Sequence, residues 1–172
     1  MVSDKDPFAE IRPSLVLAIK EGVIFLMLLI AFLIFNFNTP EFFFQLNVDQ
    51  KVLIGLVYVL MGLTVVSFLM LVYKILKLRT TVFTITDEQI LFRHGILNVK
   101  REYMEIYRVK DFSVFSPFFL RLFALSNLVI HSSDKTHPVL WLYAIKNQKM
   151  IYEGLRERVE TMRKIKGVRE FD

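Results

Sequence analysis

Between Lys51 and Lys74 lie 22 consecutive residues without a charge, Val52 to Tyr73, of which 14 are Val, Leu, Ile or Phe. A helix of that length crosses a hydrocarbon core of about 30 Å at roughly 1.5 Å per residue. At about −0.3 to −0.6 kcal/mol for each such side chain, insertion gains on the order of −4 to −8 kcal/mol, more than Gly55, Gly62, Thr64 and Ser67 take back. Residues 52–73 are therefore expected to form a transmembrane helix, in preference to the buried helix of a soluble core.

The first apolar segment is shorter, since the uninterrupted stretch from Gly22 to Phe35 is only 14 residues. Leu15 to Ile19 lengthens it, so that residues 14–37 span if Lys20 and Glu21 sit near the membrane edge, where a Lys stem snorkels. Pro13 suits a first helical turn. A second reading makes residues 7–20 an amphipathic helix on the membrane surface, followed by a shorter crossing. The acidic cluster Asp4, Asp6 and Glu10, the length of the run and the lack of a small-x-small site after it argue for a retained anchor and against a cleaved signal. Asn38, Thr39 and Pro40 are expected to stop the helix, and Phe42, Phe43 and Phe44 to settle at the interface. The pair makes an antiparallel hairpin.

Lys and Arg near the helix ends set the orientation. The connection carries Lys51 alone, whereas Lys5, Arg12 and Lys20 precede the hairpin and Lys74, Lys77 and Arg79 follow it. Both termini are thus expected in the cytoplasm, in a multi-pass protein of the cell membrane. Residues 1–79 form the tail and hairpin in this reading, and residues 80–172 a cytoplasmic domain. The domain holds 15 basic and 11 acidic side chains, and the chain has no cysteine, which excludes disulfides, thiolate metal sites and a cysteine nucleophile.

After residue 79 the hydrophobic period becomes alternating. Thr80–Thr86, Gln89–Arg93, Ile96–Ile106, Val109–Phe115, Leu128–Ser132 and Pro138–Tyr143 are expected strands. His94-Gly95 is expected to be a tight hairpin turn, with Gly95 at positive φ, and Ser133-Asp134-Lys135 another turn. Residues 117–125 read as one short helix or an apolar loop. From Asn147 to Lys166 the spacing is helical, with Ile151, Leu155, Val159 and Met162 on one stripe and Glu160 within reach of Arg163 and Lys164. The fold class is a membrane protein of α+β type: a two-helix hairpin, then an antiparallel sheet capped by a C-terminal helix.

Five short segments recur in a known order: Thr86-Asp87-Glu88 with Ile90, Arg93-His94-Gly95-Ile96, Lys100-Arg101-Glu102, Val109-Lys110-Asp111-Phe112 and Leu120-Arg121-Leu122. In this order, behind a helical hairpin, they resemble the bacterial pleckstrin-homology (PH)-like domain of the membrane-flanked type. Gln89 stands where that family often has arginine, and Ala124 and Ser126 where it often has glycines. The resemblance implies a partly open, strongly bent antiparallel barrel capped by a helix, and no enzyme activity.

Eukaryotic relatives of that fold hold inositol phosphates with cations around the first hairpin. Here that hairpin carries Asp87 and Glu88, which repel phosphate. Contact with anionic lipid is instead expected from Lys74, Lys77 and Arg79 and from the C-terminal Arg163, Lys164, Lys166 and Arg169, at about 1 kcal/mol per residue near an anionic leaflet. The bland readings are topology determinants for the first group and a solvated helix end for the second. Phe115, Phe118, Phe119 and Phe123 surround Arg121. They either fill a core or dock onto membrane or partner, and Arg121 is placed to pair with Asp111. Gly55 and Gly62, seven apart, share a helix face suited to close contact with the first helix or another copy.

His94, His131 and His137 lack metal-ligand spacing, and neither a P-loop, a dinucleotide fingerprint nor a nucleophile elbow occurs. No cofactor, metal or nucleic acid is expected. The sequence reads as a non-enzymatic membrane protein presenting a PH-like lipid- or protein-binding domain at the cytoplasmic face. The alternative is a structural or regulatory subunit of a larger transporter or channel complex. Its partners would be membrane lipids, another membrane protein, or a second copy of itself.

Overall fold

A computed structural model describes residues 8–45 and 49–167, with side chains for 8–37 and 49–167. The chain forms two compact units: Ala18–Leu76, and a β-rich unit made from the segment up to Leu17 together with everything from Lys77 onward. The division thus differs from a single cut at residue 80. The residues just before the first helix belong with the β-rich unit.

In the helical unit, α1 spans Ile19–Gln45 and α2 spans Gln50–Thr80. Both are long and apolar enough to cross a membrane. The less exposed positions of α2 include Leu53, Val57, Leu60, Thr64, Ser67 and Leu71, and those of α1 include Phe25, Leu28, Phe32 and Phe35. Alternating steps of three and four residues are those of a coiled-coil seam. Across it Phe25 meets Phe68 at 5.4 Å between ring centroids, and Lys74 Nζ lies 3.6 Å from Glu21 Oε1. The hydroxyls of Thr64 and Ser67 donate to the carbonyls of Leu60 and Thr64 in their own helix, at 2.8 and 2.9 Å, so neither needs a partner across the seam.

The helix expected to stop at Asn38, Thr39 and Pro40 runs on to Gln45. Proline's fixed φ is itself helical, and Pro40 forfeits a single backbone bond, so the chain continues past it. The side chains of Asn38 and of Phe42, Phe43 and Phe44 lie outside the described residues, as do Asp4, Lys5, Asp6 and Arg169. At the other end, Ser14 Oγ accepts from the Val16 amide at 3.3 Å, and a 3-10 turn, Leu15–Ala18, leads into α1.

The amphipathic surface helix over residues 7–20 does not form. Ala9–Ile11 is a strand, β1, hydrogen-bonded antiparallel to β2 (Val82–Ile85), with Ile11 opposite Phe83. Ile11 is buried against the core and Glu10 is exposed, and it is the pairing with β2 that holds the segment as a strand. The first sheet continues through β3 (Gln89–His94) and β4 (Lys100–Glu105), in the order β1-β2-β3-β4. A 3-10 turn at Ile106–Arg108 passes the chain to the second sheet, β5 (Val109–Phe115), β6 (Ser126–Ser132) and β7 (Val139–Ile145). A short helix, α3 (Phe118–Leu122), sits between β5 and β6, and α4 (Gln148–Lys166) follows β7.

One core joins these elements. Ile85, Ile90 and Met104 of the first sheet, Leu128, Ile130 and Leu142 of the second, and Leu155 of α4 are all fully buried in it. The stripe expected on α4 is the buried one, with Ile151, Leu155 and Val159 inside and Met162 half-buried against them. Glu160 pairs with Arg156 at 3.1 Å and not with Arg163 or Lys164, because Arg163 is turned inward to the Val109 carbonyl.

The β3–β4 connection is also wider than a two-residue turn. It runs over residues 95–99, and the strand expected from Ile96 begins at Lys100. Gly95 has φ +113°, and a Cβ there would collide with the Asn98 carbonyl, so the chain folds over itself before the second strand starts.

The N-terminal segment is clamped onto α4. The Phe8 amide donates to the Ile85 carbonyl at 2.8 Å, the Phe8 ring lies where a Cβ on Gly154 would be, and the Arg158 guanidinium stacks 3.6 Å from the ring centroid. Gly154→Val should therefore displace Phe8 and cost about 1–3 kcal/mol in denaturant unfolding, with faster hydrogen exchange at residues 8–11. An unchanged exchange rate there would refute the clamp.

Candidate functional site

A cluster of exposed apolar side chains in the β-rich unit lies on and beside α3. Pro117 starts this single turn of helix, and Ala124, at φ +53°, ends it. The Ala124 amide donates to the Arg121 carbonyl at 3.0 Å, and the Leu125 amide to the Leu120 carbonyl at 2.8 Å. The tight turn that glycines make elsewhere is thus made here by alanine in the left-handed region.

That turn decides which side chains face inward. Leu120 and Leu125 are buried with Ala144, and Val16 and Leu17 pack against them. Phe118, Phe119 and Leu122 are left 72%, 74% and 72% exposed, with Phe115 and Phe123 also exposed beside them. The core-filling reading of the phenylalanines is overturned: in a helix of five residues, only the Leu120 side points at the domain. Phe118 and Phe119 pack edge to face at 5.7 Å. Arg121 is exposed and makes no ion pair with Asp111, whose carboxylate accepts from the Phe112 amide instead at 2.7 Å.

The segment leading to α1 is held beside this turn. The Ser14 amide donates to the Ala144 carbonyl at 3.2 Å, and buried Asn127 accepts from the Ala144 amide at 2.8 Å. Ala144 has φ +47° where the β6–β7 register shifts. This anchorage leaves little trace in sequence, because a bulge at an alanine has no compositional mark. The signal that could have found it is Asn127, a polar residue directly before the apolar run Leu128–Ile130.

The expected cations separate. Lys77 and Arg79 lie exposed in the last turn of α2, and Lys74 is engaged with Glu21. Arg163 donates to the Val109 carbonyl at 2.5 Å, a structural role, whereas Lys164 and Lys166 are exposed. Gly55 and Gly62 do share an exposed face of α2, but a Cβ at either would meet nothing within 4 Å. Among the described residues they do not pack against α1, whose seam lies along Thr64 and Ser67.

An open groove of about 420 Å³ lies by the β2–β3 turn, lined by Asp87, Glu88 and Glu157 with Arg158, whose Nε is 3.0 Å from Asp87 Oδ1. Three carboxylates against one guanidinium make this a poor phosphate site, as the sequence implies. The histidines are engaged separately: His131 with Ser113 at 3.2 Å, His94 stacked on Phe92, and His137 Nε2 3.5 Å from Glu102 Oε2. Among the described residues, no three of His, Cys, Asp or Glu converge as a metal site.

Two antiparallel sheets sharing one core, closed by a C-terminal helix, define a pleckstrin-homology-like α+β domain. The chain belongs to the bacterial PH domain family, whose profile matches residues 14–159 and so takes in both apolar helices as well as most of the β-rich unit. Among solved structures it is similar to a DUF1696 family protein with a pleckstrin-homology domain from Shewanella loihica PV-4, at 11% identity and a TM-score of 0.40, over 48% of this chain and 74% of that one. No curated protein matches the sequence. Strand β1 precedes the matched range.

Two predictions test these placements. Phe118→Ser and Phe119→Ser should each change unfolding stability by less than about 0.5 kcal/mol, as exposed positions do, while Leu120→Ala should cost about 2–3 kcal/mol; equal costs would mean the turn is oriented otherwise. Separately, Lys100, hydrogen-bonded to Glu102, holds the Glu102 carboxyl below its ordinary value of 4.5, with His137 and His94 adding to the effect. Its contribution is therefore complete above that value and lost as the pH falls through the lowered pKa. Glu102→Gln should flatten that part of the acid-unfolding curve and lower stability at neutral pH.

Proposed function

We propose that the chain is a non-enzymatic, two-span protein of the cytoplasmic membrane that presents its PH-like domain to lipid or protein at the inner leaflet, with both chain ends in the cytoplasm. The observation that carries this is the β1–β2 pairing. A strand before the two apolar helices and a strand after them are hydrogen-bonded neighbours, so any crossing of the membrane has to return to the side it left. The helices suit lipid better than a soluble core, for only 6% and 11% of their apolar windows are buried within the protein. The excess of Lys20, Lys74, Lys77 and Arg79 over Lys51 supports the cytoplasmic side.

Within this reading, α3 is the contact surface. Its phenyl groups and Leu122 suit the interface of a bilayer, where aromatic rings lie at headgroup depth, and its base is fixed to the segment that becomes α1. The open face at Gly55 and Gly62 favours a second role, docking another helix in a larger membrane complex, since small residues let helices approach closely.

The absence of cysteine makes the topology directly testable. In intact cells an impermeant maleimide should label Asn47→Cys in the helix connection and leave Lys135→Cys in the β6–β7 turn unlabelled until the membrane is opened. The reverse pattern would overturn the orientation, and release of the protein by alkaline carbonate would overturn the anchor.

A further inference from the structure

The β3–β4 connection joins two features that neither a stable core nor a soluble surface explains. In the strand register Arg93 lies directly opposite Arg101, and His94 opposite Lys100. Directly opposed like charges destabilise a strand pair. Glu102 takes Lys100, but among the described residues no carboxylate lies within ion-pair distance of Arg93 or Arg101. Beyond this pair, the connection exposes Leu97 at 94% and Val99 at 54%. An apolar tip behind an unneutralised pair of guanidinium groups is complementary to an anionic lipid surface: phosphates for the arginines, the acyl boundary for the tip.

The register also says which end of the sheet this is. Ile11 faces Phe83, which faces Phe92, and one step further Val82 faces Arg93, which faces Arg101. Ile11 is where the chain leaves the sheet toward α1, and Val82 is where it re-enters after α2 ends at Thr80. The tip therefore lies at the end of the sheet from which both connections to the apolar helices depart. Gly95, which no other residue can replace without collision, fixes the chain's departure into that tip.

We propose that the β3–β4 connection is a membrane contact of its own, in which Leu97 and Val99 enter the interface of an anionic bilayer while Arg93 and Arg101 hold lipid phosphates. This rests on the anchored reading above and adds to it a lipid class and the residues that select it.

The test uses the full chain reconstituted in vesicles of phosphatidylcholine alone or mixed with phosphatidylglycerol, with bimane on Leu97→Cys or, as a control, on Leu63→Cys of the exposed face of α2, and spin-labelled lipid as quencher. The tip probe should be quenched in the mixed vesicles, less so in phosphatidylcholine and less so at high salt. Arg93→Gln and Arg101→Gln should each lower the docked-to-free ratio about fivefold, the equivalent of about 1 kcal/mol per cation. Quenching at Leu63 with none at Leu97 overturns this inference and leaves the anchor intact. No quenching at Leu63 overturns the anchor and the inference together. A tip probe that is blue-shifted but not quenched is covered by protein, which also overturns the proposal. Because both arginines are exposed and each substitution relieves their repulsion, thermal unfolding of the two variants should be unchanged or shifted upward while docking is lost.

Discussion

A strand of three residues, Ala9–Ile11, constrains this protein more than its two long helices do. Without it the first sheet has β2 as a bare edge, and edge strands with unpaired amides are sites of aggregation. With it, the chain must leave the domain at Ile11, pass through the apolar helices and come back at Val82 beside the strand it left. The sheet is thus assembled from segments about 70 residues apart in sequence, a costly loop closure that the entropy of an unstructured excursion would oppose. Two regular helices that return on themselves along a seam lessen that cost, because their ends are held by packing rather than by chance. The PH-like domain is therefore not a module appended after the apolar helices. Its first strand precedes them and its second follows them.

Much of this was legible in the sequence and the missing parts have physical causes. The uncharged run at Val52–Tyr73 reports a long apolar helix, and the alternation through β2 to β7 and the Ile151, Leu155, Val159 stripe report burial on one face, which is what hydrophobic period encodes. β1 was not legible because three residues are too few to express a period, and Pro13 nearby read as the start of a helix. Only tertiary partners, Ile85 accepting from Phe8 and Gly154 leaving room for its ring, make that segment a strand.

The candidate surfaces divide in the same way. The apolar segment that holds α3 is visible in composition, but which of its residues point inward depends on the turn at Ala124, and an alanine at positive φ has no signature. Arg163 looked like one of four C-terminal cations, yet its guanidinium serves the Val109 carbonyl. Arg93 and Arg101 enter the sequence reading only as members of the recurring segments, and it is the register that places them face to face. Sequence separation of eight residues does not tell whether two strand residues oppose one another; the length of the connecting loop does, and that length was set by Gly95.

These surfaces are shallow, which suits the anchoring proposed above. A free domain must recruit itself from solution, and needs a pocket or a large interface to offset the loss of translational freedom. A domain held at a membrane by two spans, as proposed above, pays none of that again, since tethering gives an effective concentration of about millimolar. Under that proposal one helical turn of aromatic side chains and a two-arginine hairpin, each too weak to hold a soluble protein, would suffice to set the domain's orientation. Under the same proposal, orientation more than attachment is what anionic lipid or a partner helix would change, because the two spans would fix attachment and a contact worth about a few kcal/mol or less is readily tipped either way.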